Sequence, residues 1–475
     1  MRKQTLFQGS YLWPLLFLVL TALAVLFPLS GDDWQWGVQD GLSAINGRYM
    51  GNLTASLLTQ NAWLRPAFMG LCISFLVWGV FRLTEGGMPP LLVIFLLLAL
   101  NSGMFAQVYQ WASGFSNFTV PAALLVLNLL LLQKLPRMGG AARRAACVFG
   151  LAVSLATQLF AEHVTLCALG LSLAFVAYRR LRDHTWDAFA LFCLIGYAAG
   201  AALMFLNPAY TAAGTADAHS MPRLSELLAN ARGNFPEISK NLVMENLWLN
   251  LLVSALLLRL IRTERKGLCK TDTLLTVFFL FFMAYQLLRT AMPGIQIFAT
   301  VSTIEKYMAL ADLLAAFLTV GLWMPAGPAK TKLGFAALAL VLLNGPLLFV
   351  VPIGPRCFFP SYVTLAFGAG VLWRYLEAQG RLALPAFHRT WPFAALLISL
   401  LVLYFGIYVR AWSVTRSRDA AIAAALSTGT ETIQIRPYPE TSYIWGGNPD
   451  TPYLDTIFKD YYGIPRSWTL EITNG

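Results

Sequence analysis

Residues 11–36 read YLWPLLFLVLTALAVLFPLSGDDWQW: an apolar run, a Pro-Leu-Ser-Gly break, then two adjacent acids set between tryptophans. The apolar part is as long as a helix must be to cross the hydrocarbon of a bilayer. The pattern recurs along the 475 residues, with apolar segments near 11–30, 66–82, 89–105, 119–133, 145–160, 164–178, 188–206, 246–261, 273–289, 307–323, 333–353, 361–376 and 391–409. This predicts an all-α polytopic membrane protein with about 13 transmembrane helices. Hydrophobic residues make up 57% of the chain and charged ones 12%. No soluble core uses so much continuous apolar sequence, and the alternating pattern of a transmembrane barrel is absent.

The net charge of +11 would point to nucleic acid in a soluble protein. Here the Lys and Arg residues concentrate in alternate loops, at 134–144, 179–182 and 259–270 among others. By the positive-inside rule this sets the N-terminus in the cytoplasm and the C-terminus outside, and nucleic acid is not an expected partner. The basic start at Arg2 and Lys3, with no small-residue cleavage site after the first apolar run, reads as an uncleaved first span. The six cysteines are scattered and form neither a disulfide framework nor a zinc spacing. No P-loop, dinucleotide fingerprint or HExxH is present.

Two regions follow from this topology. Residues 1–409 form the transmembrane domain, with a first outer loop at 31–65, a short outer loop at 107–118 (QVYQWASGFSNF) and a long one at 207–245. Residues 410–475 form a small extracytoplasmic segment, rich in Pro, Gly, Tyr and Trp, expected to hold strands and turns. In the first loop Leu42, Ile45, Tyr49 and Leu53 make an amphipathic helical stripe; in the long loop Met221, Leu224, Leu227 and Leu228 do the same.

Paired carboxylates beside a membrane exit are a functional signal, because an ionisable group there is costly unless it faces protein or water. Asp32 and Asp33 also disfavour each other's charge, which moves one towards the role of a base or a metal ligand. Cations on the same side are few, about 8 before the tail, and Arg48, Arg289, Lys306 and Arg356 are the candidates among them. Each either binds phosphate or snorkels to lipid headgroups. Tyr109, Gln110 and Trp111 can line a sugar subsite or belong to the interfacial belt. Glu162 and His163 form an acid and imidazole pair at a helix end. Apart from these end positions, the middle of the membrane reads as nearly bare of charge.

The element DDW after the first span, followed by Asn46-Gly47-Arg48-Tyr49, resembles bacterial members of the GT-C superfamily of integral-membrane glycosyltransferases that build O-antigen and cell envelope. The likeness extends to QWASGFSNFTVP at 110–121, to LFAEH at 159–163, to GPRCFFP at 354–360 and to FKDYYGIP at 458–465. The resemblance implies transfer of a sugar from a polyprenyl-phosphate donor to an envelope glycan or lipid acceptor, at the outer face of a bacterial inner membrane. Carried over by position, Asp32 is the expected base, with Asp33 assisting or holding a divalent cation, and the two roles are exchangeable. Arg48, Arg356, Lys306 and Arg289 are the expected donor-phosphate contacts; Tyr49, Gln110, Trp111, Glu162 and His163 are the expected substrate contacts. The competing expectations are a transporter or flippase of lipid-linked sugars, and an oligosaccharide polymerase or ligase.

Overall fold

Apolar segments in lipid must satisfy their own backbone hydrogen bonds, and helices do this one segment at a time. The computed structural model describes residues 11–41, 46–211, 224–264, 270–292, 302–382 and 390–473. Among them, eight helices are long and apolar enough to cross a membrane, or up to ten if each of two bent pairs counts as one span. The chain is thus an all-α polytopic membrane protein by the length and composition of its helices. The predicted segments at 11–30, 145–160 and 361–376 are also helical, as Leu12–Val25, Gly140–Thr157 and Phe359–Ala378, but lie outside that set.

The segment expected as one span at 89–105 is broken. Pro90–Leu98 stops, and Ser102–Gln110 leaves at 87° to it. Asn101 caps the second piece, its side chain accepting from the Met104 amide at 2.8 Å. The end of the first piece frees carbonyls inside the protein, where an unmet acceptor is costly. Three tyrosines satisfy them: Tyr362 donates to the Leu96 carbonyl, Tyr109 to Leu97 at 2.8 Å and Tyr404 to Leu98 at 2.7 Å. Tyr109 is therefore a core residue, neither a belt residue nor a sugar contact.

The predicted outer loop 107–118 is buried and coiled. Ala106–Gln110 and Phe115–Thr119 are wide π-type turns on either side of the short helix Ala112–Gly114. Its Gln, Ser and Asn residues made it read as a surface loop, but they serve contacts within the protein. The amphipathic stripe begins later than expected: the helix runs Tyr49–Gln60 and carries Tyr49 and Leu53, while Leu42 and Ile45 lie outside the described residues. In the long loop, Leu224–Ser239 is helical and continues as the wide turn Lys240–Met244, bent 79° against Leu247–Glu264; Met221 lies outside the described residues.

The longest of the described helices, Trp391–Thr428, runs 38 residues without a break through the expected boundary at 409. Beyond it, Thr432–Ile435 pairs in parallel with Thr469–Ile472, with the helix Pro452–Tyr462 between them. Arg418 binds this tail to its helix. Its buried guanidinium donates to the Arg436 and Gly447 carbonyls at 2.7 and 2.8 Å and to Asn448 Oδ1 at 2.5 Å, and lies over the Tyr438 ring. The tail in turn packs on the first loop, with Phe458 edge-on to the buried ring of Trp34.

Asp312, halfway along Ser302–Trp323, is 5% exposed, a buried acid that the expectation of a nearly bare membrane interior passed over.

Candidate functional site

Gly31 turns the chain out of the first apolar segment with φ +58°, and its amide donates to the Gly446 carbonyl at 2.9 Å. The short helix Asp33–Trp36 follows at once. Asp33 is fully buried. Its Oδ1 accepts from the Ser113 amide at 2.9 Å and from Ser113 Oγ at 2.7 Å, and its Oδ2 from the Ala112 amide at 3.1 Å. It thus caps the first turn of Ala112–Gly114 from a distant part of the chain, meeting amides that a helix start leaves unpaired. Burial pushes the Asp33 carboxyl up to about 7, the Asp32 charge adds to this, and the Ser113 and Ala112 donors hold it back. Both Asp33 oxygens accept from protein donors, and no group of three metal-type side chains occurs among the described residues.

Asp32 is half-buried and differently placed. Its Oδ1 accepts from Trp111 Nε1 at 2.8 Å. Burial raises this carboxyl above the usual range, while the Ser113 and Trp111 hydrogen bonds and then the Arg356 charge pull it back. The Trp111 ring stacks on Trp445 of the tail, 3.9 Å between centroids. The Arg356 guanidinium sits over both rings, at 5.5 and 5.9 Å, and donates to Gln107 Oε1 at 2.9 Å. Cation and aromatic faces of this kind hold a charged group in place without neutralising it. Gln110 is buried, donating to the Pro28 carbonyl at 2.9 Å and accepting from the Trp445 amide at 3.3 Å. Its amide joins the first loop, the coiled segment and the tail.

A second group forms around Glu162. Arg48 makes a two-pronged pair with it, Nε and Nη2 each 2.8 Å from a carboxylate oxygen, and Tyr210 donates to it at 2.6 Å. Burial works against the Arg48 charge, and Glu162 more than offsets this. Tyr49 accepts from Asn207 Nδ2 at 2.8 Å. His163 lies against Phe118, its buried Nε2 without a hydrogen-bond partner. The link to Asp33 runs through Asn117, which donates to the Ser113 carbonyl at 2.9 Å and packs against the backbone of Gly51.

Arg289 and Lys306 fall in a third group. Arg289 pairs with Glu245 at 3.1 Å and Glu305 at 2.9 Å, and Lys306 pairs with Glu237. The structure therefore gathers Asp32, Asp33, Gln110, Trp111 and Arg356 in one place, sets Arg48, Tyr49, Glu162 and His163 beside Tyr210 and Asn207, and ties Arg289 and Lys306 into an ion-pair network. Sequence reasoning missed Trp445, Ser113, Gln107 and Arg65. Arg65, at the start of Leu64–Leu83, donates to the Phe27 carbonyl at 3.3 Å and its charge acts on Asp33. Compared with protein-family models, curated proteins and solved structures, the chain matches none.

Proposed function

We propose that this chain is an integral-membrane glycosyltransferase of the GT-C type. It moves a sugar from a polyprenyl-phosphate donor to an envelope glycan or lipid acceptor at the outer face of the bacterial inner membrane, with its N-terminus cytoplasmic. The observation that carries the reading is Asp32, its Oδ1 held by Trp111, with the Arg356 guanidinium over that same Trp111 ring. Of the four cations expected at the donor phosphate, Arg356 is the one with no carboxylate partner among the described residues.

In this reading Asp32 takes the proton of the acceptor hydroxyl as its oxygen attacks the anomeric carbon. The bond from that carbon to the phosphate oxygen breaks, and the electron pair leaves with the polyprenyl phosphate, whose growing charge meets Arg356. Asp33 holds the Ala112 and Ser113 amides and so fixes Trp111, which orients Asp32. Trp445 offers the aromatic face for the sugar.

The test is transfer of labelled sugar by purified protein in lipid, with Asp32→Asn and Arg356→Gln. Loss of transfer in Asp32→Asn with donor binding retained is expected. A second reading, a transporter of lipid-linked sugars, is favoured by the two bent helix pairs and by the mid-membrane acid. Movement of the lipid-linked sugar across the bilayer without transfer, unchanged in Asp32→Asn, overturns the enzyme in favour of the transporter.

A further inference from the structure

The helix Ser302–Trp323 carries Glu305, Asp312 and Thr319 at seven-residue intervals, all buried. Such spacing puts them on one face, and Ala309 and Ala315 lie buried along it too. The helix packs against Leu224–Ser239, Lys240–Met244 and Leu247–Glu264, with Lys270–Ala291 beside it. The Arg289 to Glu305 pair fixes the antiparallel register of Lys270–Ala291 on this helix. Counting inwards from that pair puts Gln286 one turn in on its helix and Asp312 two turns in. At 1.5 Å per residue, Asp312 is about 15 Å from the helix start, near the middle of a hydrocarbon layer about 30 Å thick.

Two acceptor oxygens along this line have no donor: Gln286 Oε1 and Asp312 Oδ1 are both buried without hydrogen-bond partners. The charged groups on the surrounding elements are paired elsewhere or lie towards the helix ends. Glu237, Lys240, Glu245 and Arg289 surround Glu305 and Lys306 at the near end, with Tyr285 donating to Glu305. Arg259 faces away, exposed and bonded to the Arg381 carbonyl, and Glu264 pairs with Arg381. Asp272, also buried with its Oδ1 unpartnered, lies at the far end of its helix, and Lys330 caps the carbonyls of Gly321 and Met324.

An ionised carboxylate without a counter-charge at this depth costs several kcal/mol, as an order of magnitude. A fixed cation is the usual remedy, and none is supplied among the described residues. We infer that Asp312 binds a small monovalent cation, a proton or a sodium ion, inside the membrane, reached from the end carrying Glu305 by way of Gln286. This site is separate from Asp32 and does not depend on the glycosyltransferase reading.

The probe is dicyclohexylcarbodiimide, an apolar reagent that couples to protonated carboxyls within membranes. Wild-type protein in lipid at neutral pH, in sodium-free buffer, is expected to carry the adduct on the peptide containing Asp312, located by mass spectrometry. Suppression by sodium identifies sodium as the occupant; labelling unaffected by sodium identifies the proton. Infrared spectroscopy guards against poor reagent access, since a protonated carboxyl shows a carbonyl band that Asp312→Asn removes. Absence of both the adduct and the band overturns the inference.

Discussion

Gly31 is where the tail meets the site, and adding one carbon there tests the arrangement. A Cβ at this position falls 2.2 Å from the Trp445 ring, so in Gly31→Ala the ring must withdraw by about 1 Å to reach ordinary contact at 3.4 Å. That movement takes Trp445 off Trp111 and strains two hydrogen bonds, Gly31 N to Gly446 O and Trp445 N to Gln110 Oε1. Ring stacking is worth about 1 kcal/mol and each hydrogen bond about 1 kcal/mol, of which part is lost. The left-handed φ of +58° adds about 1 kcal/mol for any residue with a Cβ. The expected cost to tail docking is about 3 kcal/mol, or roughly two powers of ten in the opening equilibrium. Hydrogen exchange at the amides of positions 31 and 445, in protein held in lipid, reads that equilibrium directly. In a Trp445→Ala background the ring is gone, and Gly31→Ala is expected to cost only the backbone part, about 1 kcal/mol. Equal costs in both backgrounds would refute the contact between Gly31 and the ring, and with it the docking of Trp445 beside Trp111.

Glu162→Gln leaves Arg48 half-buried without its carboxylate, and a loss of about 1–2 kcal/mol is expected in thermal or denaturant unfolding; a double change with Arg48→Gln recovers part of it. Arg356→Gln removes a cation that lowers the Asp32 carboxyl, so the acid limb of sugar transfer is expected to move to higher pH; a limb that stays in place separates Arg356 from the base. Asp33→Asn turns an amide NH2 towards backbone donors and is expected to cost about 1–3 kcal/mol. The same variant has a pH signature. Because burial raises Asp33 from 3.8 to about 7, its neutral form is favoured in the fold, and its stabilising contribution is full below 3.8 and lost as pH rises through about 7. The advantage of wild type over Asp33→Asn should shrink across that window, and an advantage that grows with pH would show the donors outweighing burial.

The spans were legible because apolar length alone specifies a helix in lipid. The breaks were not. Asn101 marks the restart locally, but the stop at Leu98 depends on Tyr109, Tyr362 and Tyr404, the last two far along the chain, each supplying a donor. The same holds for the site. Asp32, Trp111 and Arg356 were each visible as unusual residues in an apolar chain, but Trp445 was hidden in a tail full of aromatic residues, where one ring looks like another. Its only signal was the Gly446-Gly447 pair beside it, which lets backbone approach Gly31 and Arg418. Segment 107–118 misled for the opposite reason, since polar residues that bind buried carboxylates and carbonyls look the same in sequence as residues that face water. Asp312 was overlooked inside an otherwise apolar run, ALADLLAAF, whose mean hydropathy conceals a single acid.

The helix Trp391–Thr428 is about 57 Å long at 1.5 Å per residue, nearly twice the thickness of a hydrocarbon layer. Arg418 welds the tail to its upper part, so the segment bearing Trp445 travels with the rod. A rod of that length is a lever. Tilting its foot by about 5° carries its tip sideways by about 5 Å, more than the spacing of two stacked rings. A change of bilayer thickness, to which membrane helices respond by tilting, is therefore expected to move Trp445 relative to Trp111.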